Sequence, residues 1–186
     1  MYKLLLVCTF PAAAACGDDA VSHSAPVGIH LAFSSGDVAG GRVGDEKNIN
    51  TESGNPYGAF AAATRDALGR DPSRIEIDSL TVALTATSTG VTTLGAIYDG
   101  PATIAFEMNG TSAIVPVASL AIGPTTAAGP VPMTISFDSG AVTGDDWSAL
   151  VAGSFKVRID GPAQGDFENA GASVDLEAMF TFEAFE

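Results

Sequence analysis

Between Arg74 and the end of the chain, run after run has apolar residues at every second position, and that period limits what the chain can fold into. Ile75 and Ile77 alternate with Glu76 and Asp78, Leu80, Val82 and Leu84 with Thr81 and Ala83, and Ala102, Ile104, Phe106 and Met108 with Thr103, Ala105 and Glu107. The pattern returns at Met133, Ile135 and Phe137, at Phe155, Val157 and Ile159, and at Val174, Leu176, Ala178, Phe180 and Phe182. An earlier run, Ile29, Leu31 and Phe33, places His30 on its other face. Successive side chains of a strand point to opposite faces, so each run has one face to bury and one to leave in water. A helix would spread the same residues around its circumference.

Local signals refine the pattern. The apolar parity switches between Ile77 and Leu80, which predicts a bulge or strand crossing near Asp78 and Ser79. Asn109-Gly110 after Met108 predicts a type I′ hairpin, since both residues tolerate positive φ; Asn109-Gly110-Thr111 also fits a glycosylation acceptor pattern. Pro116 in the return strand, residues 113–122, predicts an edge or a bulge. Ser88-Thr89-Gly90 reads as a turn into a Thr-rich strand ending near Tyr98. Only one segment has a clear helical period: Tyr57, Phe60, Ala61, Thr64 and Leu68 share a face, with Asn55 as cap, Pro56 at the first position and Gly69 as stop. A short helical turn through Trp147, Leu150 and Val151 is expected to be capped by Asp145 or Asp146. Long Gly-rich or polar loops are expected at Ser34–Asn55, divided by a short strand near Arg42-Val43, at Gly123–Pro130 and at Asp160–Gly171. About eight strands and one short amphipathic helix predict an all-β, antiparallel β-sandwich, in immunoglobulin-like or jelly-roll order. One Trp and three Tyr supply little for the two aromatic girdles of a transmembrane barrel.

The first residues read as processing rather than structure. Lys3, the apolar run Leu4 to Phe10 and the small residues Ala12-Ala13-Ala14-Ala15 form the three parts of a secretory signal, and the run is shorter than the roughly 20 residues that span a bilayer. With Cys16 following the small residues, this region resembles bacterial lipoprotein signals, in which that cysteine is acylated and becomes the new N-terminus. The resemblance implies lipidation at Cys16, and Gly17 in place of an Asp implies the outer rather than the inner membrane. The alternative is cleavage near Ala15 and release as a secreted or periplasmic soluble protein. The expected organisation is a signal peptide at 1–15, a lipidated cysteine and flexible tether at 16–26, and a single domain at 27–186. No intramolecular disulfide is expected, because Cys8 leaves with the signal and Cys16 has no partner.

A formal charge of −14 repels phosphate backbones, which excludes nucleic acid as an expected partner. His23 and His30 are the two histidines, and the chain carries no Gly-x-Ser-x-Gly elbow, phosphate loop, Rossmann fingerprint or His-Glu-x-x-His helix. Neither a His-based triad nor a zinc centre is therefore expected. Calcium is the small partner that the sequence suits best: Asp145, Asp146, Asp166, Glu168 and Asn169, with Asp99, supply hard oxygens in loops, although none has EF-hand spacing. Asp and Asn are also ordinary turn residues. The leading expectation is a lipid-anchored, non-catalytic binding or structural module of the cell envelope, without a cofactor, whose partner is an envelope protein or glycan met by the loops. Two alternatives are a calcium-stabilised adhesive or carbohydrate-binding domain and an envelope hydrolase using an Asp/Glu pair.

Overall fold

The computed structural model describes residues 21–49 and 54–186. The signal segment and Cys16 lie outside the described residues. Among these run nine strands, β1 (Ser22–Ser34), β2 (Arg42–Asn48), β3 (Arg74–Leu84), β4 (Ala102–Met108), β5 (Ile114–Leu120), β6 (Val131–Pro132), β7 (Thr134–Ile135), β8 (Phe155–Pro162) and β9 (Ser173–Phe185), and two helices, α1 (Pro56–Leu68) and α2 (Gly144–Ala152). One sheet has the order β1-β9-β3-β6 and the other β2-β8-β4-β5-β7, with antiparallel neighbours throughout. The domain is an antiparallel β-sandwich.

Four of the pairings are nested: β4 with β5, β3 with β6, β2 with β8, and β1 with β9. The chain is thus one long hairpin whose tip is β4–β5, rolled so that successive rungs fall alternately in the two sheets. That is the jelly-roll order, and the immunoglobulin order does not fit it. The roll brings the start of β1 beside the end of β9: the Glu186 N–H donates to the Val21 carbonyl at 3.1 Å.

The alternating residues fill the space between the sheets. Ile29, Leu31, Phe106, Phe155, Val157, Leu176, Phe180 and Phe182 are buried. α1 closes one end, and Tyr57 on it meets the edges of Phe155 and Phe182 at 5.0 and 5.1 Å between centroids. Such edge-to-face contacts suit the ring quadrupoles and add to the burial. The helix ends follow the sequence signals. Asn55 Oδ1 accepts from the Gly58 N–H at 3.0 Å, and Gly69, at φ 70°, donates to the Arg65 carbonyl at 2.8 Å.

The bulge of β3 falls between Ile77 and Ser79, where the parity switch predicts it. Pro116 also lies at a register shift, since Ile104 faces Ala118 while Ala105 faces Pro116, leaving Val117 as the extra residue. Several expectations change. β1 begins at Ser22, so residues 22–26 are strand and not tether; β9 is long enough to pair with all thirteen residues of β1, and Pro26 is tolerated because β1 is an edge strand. The hairpin after Met108 is a wider loop, with positive φ at Gly110 and Ser112 and with Met108 bonded to Ala113, so no type I′ turn forms. The Thr-rich segment 89–98 is not a strand: its β-pairing among the described residues is limited to the isolated bridges Thr89–Ser173 and Tyr98–Ala163, and it contains a 3-10 turn at Leu94–Ala96. The run around Met133 is split, β6 pairing with β3 and β7 with β5, so the chain crosses between sheets at buried Met133. α2 is a full helix whose N-cap is Thr143; Asp145 and Asp146 lie in its first turn, where their charge complements the helix dipole.

Candidate functional site

The two ends of the roll differ. The segments 35–41, 85–101, 121–130 and 163–172 lie at one end, joined by bonds such as Ser35 N to Ala172 O, Ala163 N to Gly41 O and Asp99 N to Pro162 O. α1, α2, the 109–113 turn, Val21 and Glu186 lie at the other. β9, with thirteen residues, separates the ends by about 40 Å.

Near the loop end the edge strands β1 and β2, which belong to different sheets, face one another across a groove of about 660 Å³. Phe33, Asp37, Arg42, Asp45, Glu46 and Asp160 supply most of its lining chemistry. Asp45 bridges the two edges: its Oδ2 accepts the Ala32 N–H at 2.8 Å, occupying the place of a neighbouring strand's carbonyl. Asp37 accepts from the Ser34 N–H at 2.7 Å and from the Ser34 hydroxyl at 2.8 Å, and these bonds hold its carboxyl below the usual range. Arg42 donates through Nε to Asp160 Oδ2 at 2.7 Å. Glu46 joins a cross-strand network with Lys156 at 2.7 Å and with Arg158; Lys156 also reaches Glu107 at 3.3 Å, and Arg158 donates to Glu107. Hydrogen bonds from Arg158 and then Lys156 lower the Glu107 pKa, and bonds to Glu46 and Glu107 raise that of Lys156. Each of the four carboxylates lining the groove is therefore engaged by a group of the protein itself.

The groove wall depends on Gly44, where a Cβ would lie 1.9 Å from the Ile159 carbonyl oxygen. Tyr98 packs against Phe33 with 6.3 Å between ring centroids, and its buried hydroxyl has no hydrogen-bond partner among the described residues. Burial, and beyond it the charges of Asp160 and Asp45, push the Tyr98 pKa up.

A second polar cluster lies on the outer face of the β1–β9–β3 sheet. His30 Nδ1 is 3.2 Å from Asp175 Oδ1, His30 Nε2 is 3.9 Å from Glu177 Oε1, and Thr87 donates to Asp175 Oδ2 at 2.7 Å. Burial raises the Asp175 pKa, but hydrogen bonds from Thr87, His30 and Thr85 outweigh it and the net shift is downward.

The calcium candidates do not converge. Asp145 and Asp146 begin α2 at the helical end, where Asp146 accepts from Thr111. Asp166 caps, and Glu168 and Asn169 belong to, a 3-10 turn, Phe167–Asn169, at the loop end with Asp99. The eight residues of β8 stand between the two sets, about 25 Å. Among the described residues no group of three or more His, Cys, Asp or Glu is placed to hold a metal ion.

Of the long loops expected from the sequence, 34–55 contributes most of the groove, although β2 makes much of it strand. Gly123–Pro130 is fastened down instead: Ala128, Ala127 and Thr126 carbonyls accept from Leu84, Leu94 and Gly95 at 2.7, 3.2 and 3.2 Å. Arg158 and Asp160 lie on the polar face of the Phe155, Val157 and Ile159 run, and the alternation alone gives them no role in a site. The signal that could have marked them is the run of charges at alternate positions, Lys156, Arg158 and Asp160, of which Lys156 and Arg158 are opposite in sign to Asp45 and Glu46.

No protein-family model matches the chain, and no curated protein matches it. Among solved structures, a chain of Desmodium yellow mottle tymovirus is similar over 100% of this chain and 93% of its own, at 11% identity and a TM-score of 0.33. The nested strand pairing, not that similarity, defines the fold.

Proposed function

We propose that the protein is a lipid-anchored, non-catalytic module of the cell envelope, held at the outer membrane through Cys16, which presents its loop end and the β1–β2 groove to an envelope protein or glycan. One observation carries the reading: the chain enters the sandwich at Val21 on the helical end, while the groove and the long loops lie at the other end, about 40 Å away. An anchor five residues before Val21 would hold the helical end to the membrane and direct the groove outward. Several acyl chains on one cysteine suffice for stable anchoring, because each buried methylene contributes about 0.8 kcal/mol. The internal pairing of the groove carboxylates favours recognition over acid–base work, since a general acid or base needs a proton site free to exchange with substrate.

The test has two arms. Mass spectrometry of the mature N-terminus, with detergent partitioning of wild type and Cys16→Ser, reads the anchor; an unmodified Cys16, or a variant that still partitions with the detergent, overturns it. A pull-down from envelope extract with wild type and Arg42→Glu reads the groove. A protein or glycan retained by the wild type and lost from the variant supports the reading, and retention of nothing above background sinks it.

A further inference from the structure

The geometry points to Asn109 as a site of spontaneous backbone-assisted deamidation, a covalent change confined to the β4–β5 turn. Asn109 is the one Asn in the chain followed by Gly; Asn48, Asn50, Asn55 and Asn169 precede Ile, Thr, Pro and Ala. With no Cβ on the following residue, the backbone nitrogen of Gly110 can approach the Asn109 side chain without steric hindrance. The turn leaves that nitrogen available. Its hydrogen bonds run from Asn109 N to Ser154 O, Ser112 N to Met108 O, Met108 N to Ala113 O and Ala113 N to Thr111 Oγ1, and none of these uses the Gly110 N–H. Gly110 is exposed, has φ 99°, and has open space around it. The Asn109 amide is held by one long bond, Nδ2 to Asn48 Oδ1 at 3.4 Å.

In the reaction the Gly110 nitrogen loses its proton to solvent base and attacks Asn109 Cγ. A bond forms between these atoms, the Cγ–Nδ2 bond breaks, and ammonia leaves with a proton taken from solvent, giving a cyclic imide. Water then adds to either imide carbonyl: opening at Cγ gives aspartate, and opening at the backbone carbonyl gives isoaspartate. No electrons are transferred; the net change is gain of water and loss of ammonia. Either product replaces the Asn109 amide donor by a carboxylate, so the bond from Nδ2 to Asn48 Oδ1 is lost and a negative charge is placed on the turn.

The sequence makes the test clean. Trypsin cuts after Arg74 and Lys156, and the fragment 75–156 contains Asn109 and no other Asn or Gln. The full chain is incubated in mildly alkaline buffer, native or unfolded in urea, and that fragment is weighed and separated over time. A gain of about 1 Da with two separable products, at a native rate within about tenfold of the unfolded rate, is expected. A slower native rate means that the fold locks the turn and overturns the inference. Asn109→Gln keeps the amide but requires a larger ring, so it should abolish the gain; persistence of the gain in that variant also overturns it.

Discussion

An added Cβ at Gly44 would lie 1.9 Å from the Ile159 carbonyl oxygen, and at Gly123 it would meet nothing within 4 Å. Neither glycine has positive φ, so the contrast isolates close strand approach from conformational freedom. Gly44→Ala should cost about 1–3 kcal/mol as β2 is pushed from β8, and Gly123→Ala should stay within about 0.5 kcal/mol; urea unfolding of both variants measures the difference. Thr64 on α1 and Tyr98 are buried with hydroxyls that find no partner among the described residues. A buried hydroxyl without a hydrogen bond loses its hydration and gains nothing in return. Thr64→Val and Tyr98→Phe should therefore each stabilise the domain by about 1 kcal/mol, and a fall in the urea midpoint would show that the hydroxyl is bonded after all. The burial of Phe106 and Phe180 is legible from their alternation, whereas the isolation of these two hydroxyls is not, because it depends on neighbours distant in sequence.

Between elements, the ladder of Glu46, Lys156, Glu107 and Arg158 spans β2, β8 and β4. The lowered Glu107 pKa means that the folded state holds its ionised form, so this contribution is present above the unfolded carboxylate value of about 4.3 and disappears as pH falls through the folded value. Lys156 behaves oppositely: its raised pKa gives a contribution complete below about 10.4 and lost as pH rises through the folded value. Glu107→Gln should melt below wild type at neutral pH and converge with it in acid; curves that stay parallel down to acid pH would contradict the pairing. Strand boundaries show how far elements are legible. The β3 bulge is written in a parity switch, and the α1 ends in Asn55, Pro56 and Gly69. The Thr-rich segment 89–98 has β-branched residues, but β9, the strand that Thr89 meets at a bridge, is already flanked by β1 and β3. A strand needs a neighbour as well as a pattern, and the neighbour is a tertiary fact.

For the molecule as a whole, rolling the hairpin sets the chain entry at one end and the groove at the other, and it parts the acidic loops. Millimolar calcium should leave the melting midpoint of the domain unchanged, because Asp145 and Asp146 stand a β8 length from Asp166, Glu168 and Asn169; a rise reversed by chelation would reveal a site that this separation does not provide. The amino-acid order dictates the sandwich: period-two alternation leaves each strand one apolar face, and two such sheets bury those faces against each other. It also determined the helix α1 and the acidic surface. The choice of jelly-roll over immunoglobulin order, the groove between β1 and β2 and the separation of the candidate calcium ligands arise in the folded arrangement. The physical reason is that alternation fixes which way a side chain points relative to its own strand, while strand order and the meeting of loops depend on which edges remain free once the long pairs, β1–β9 and β3–β9, have formed.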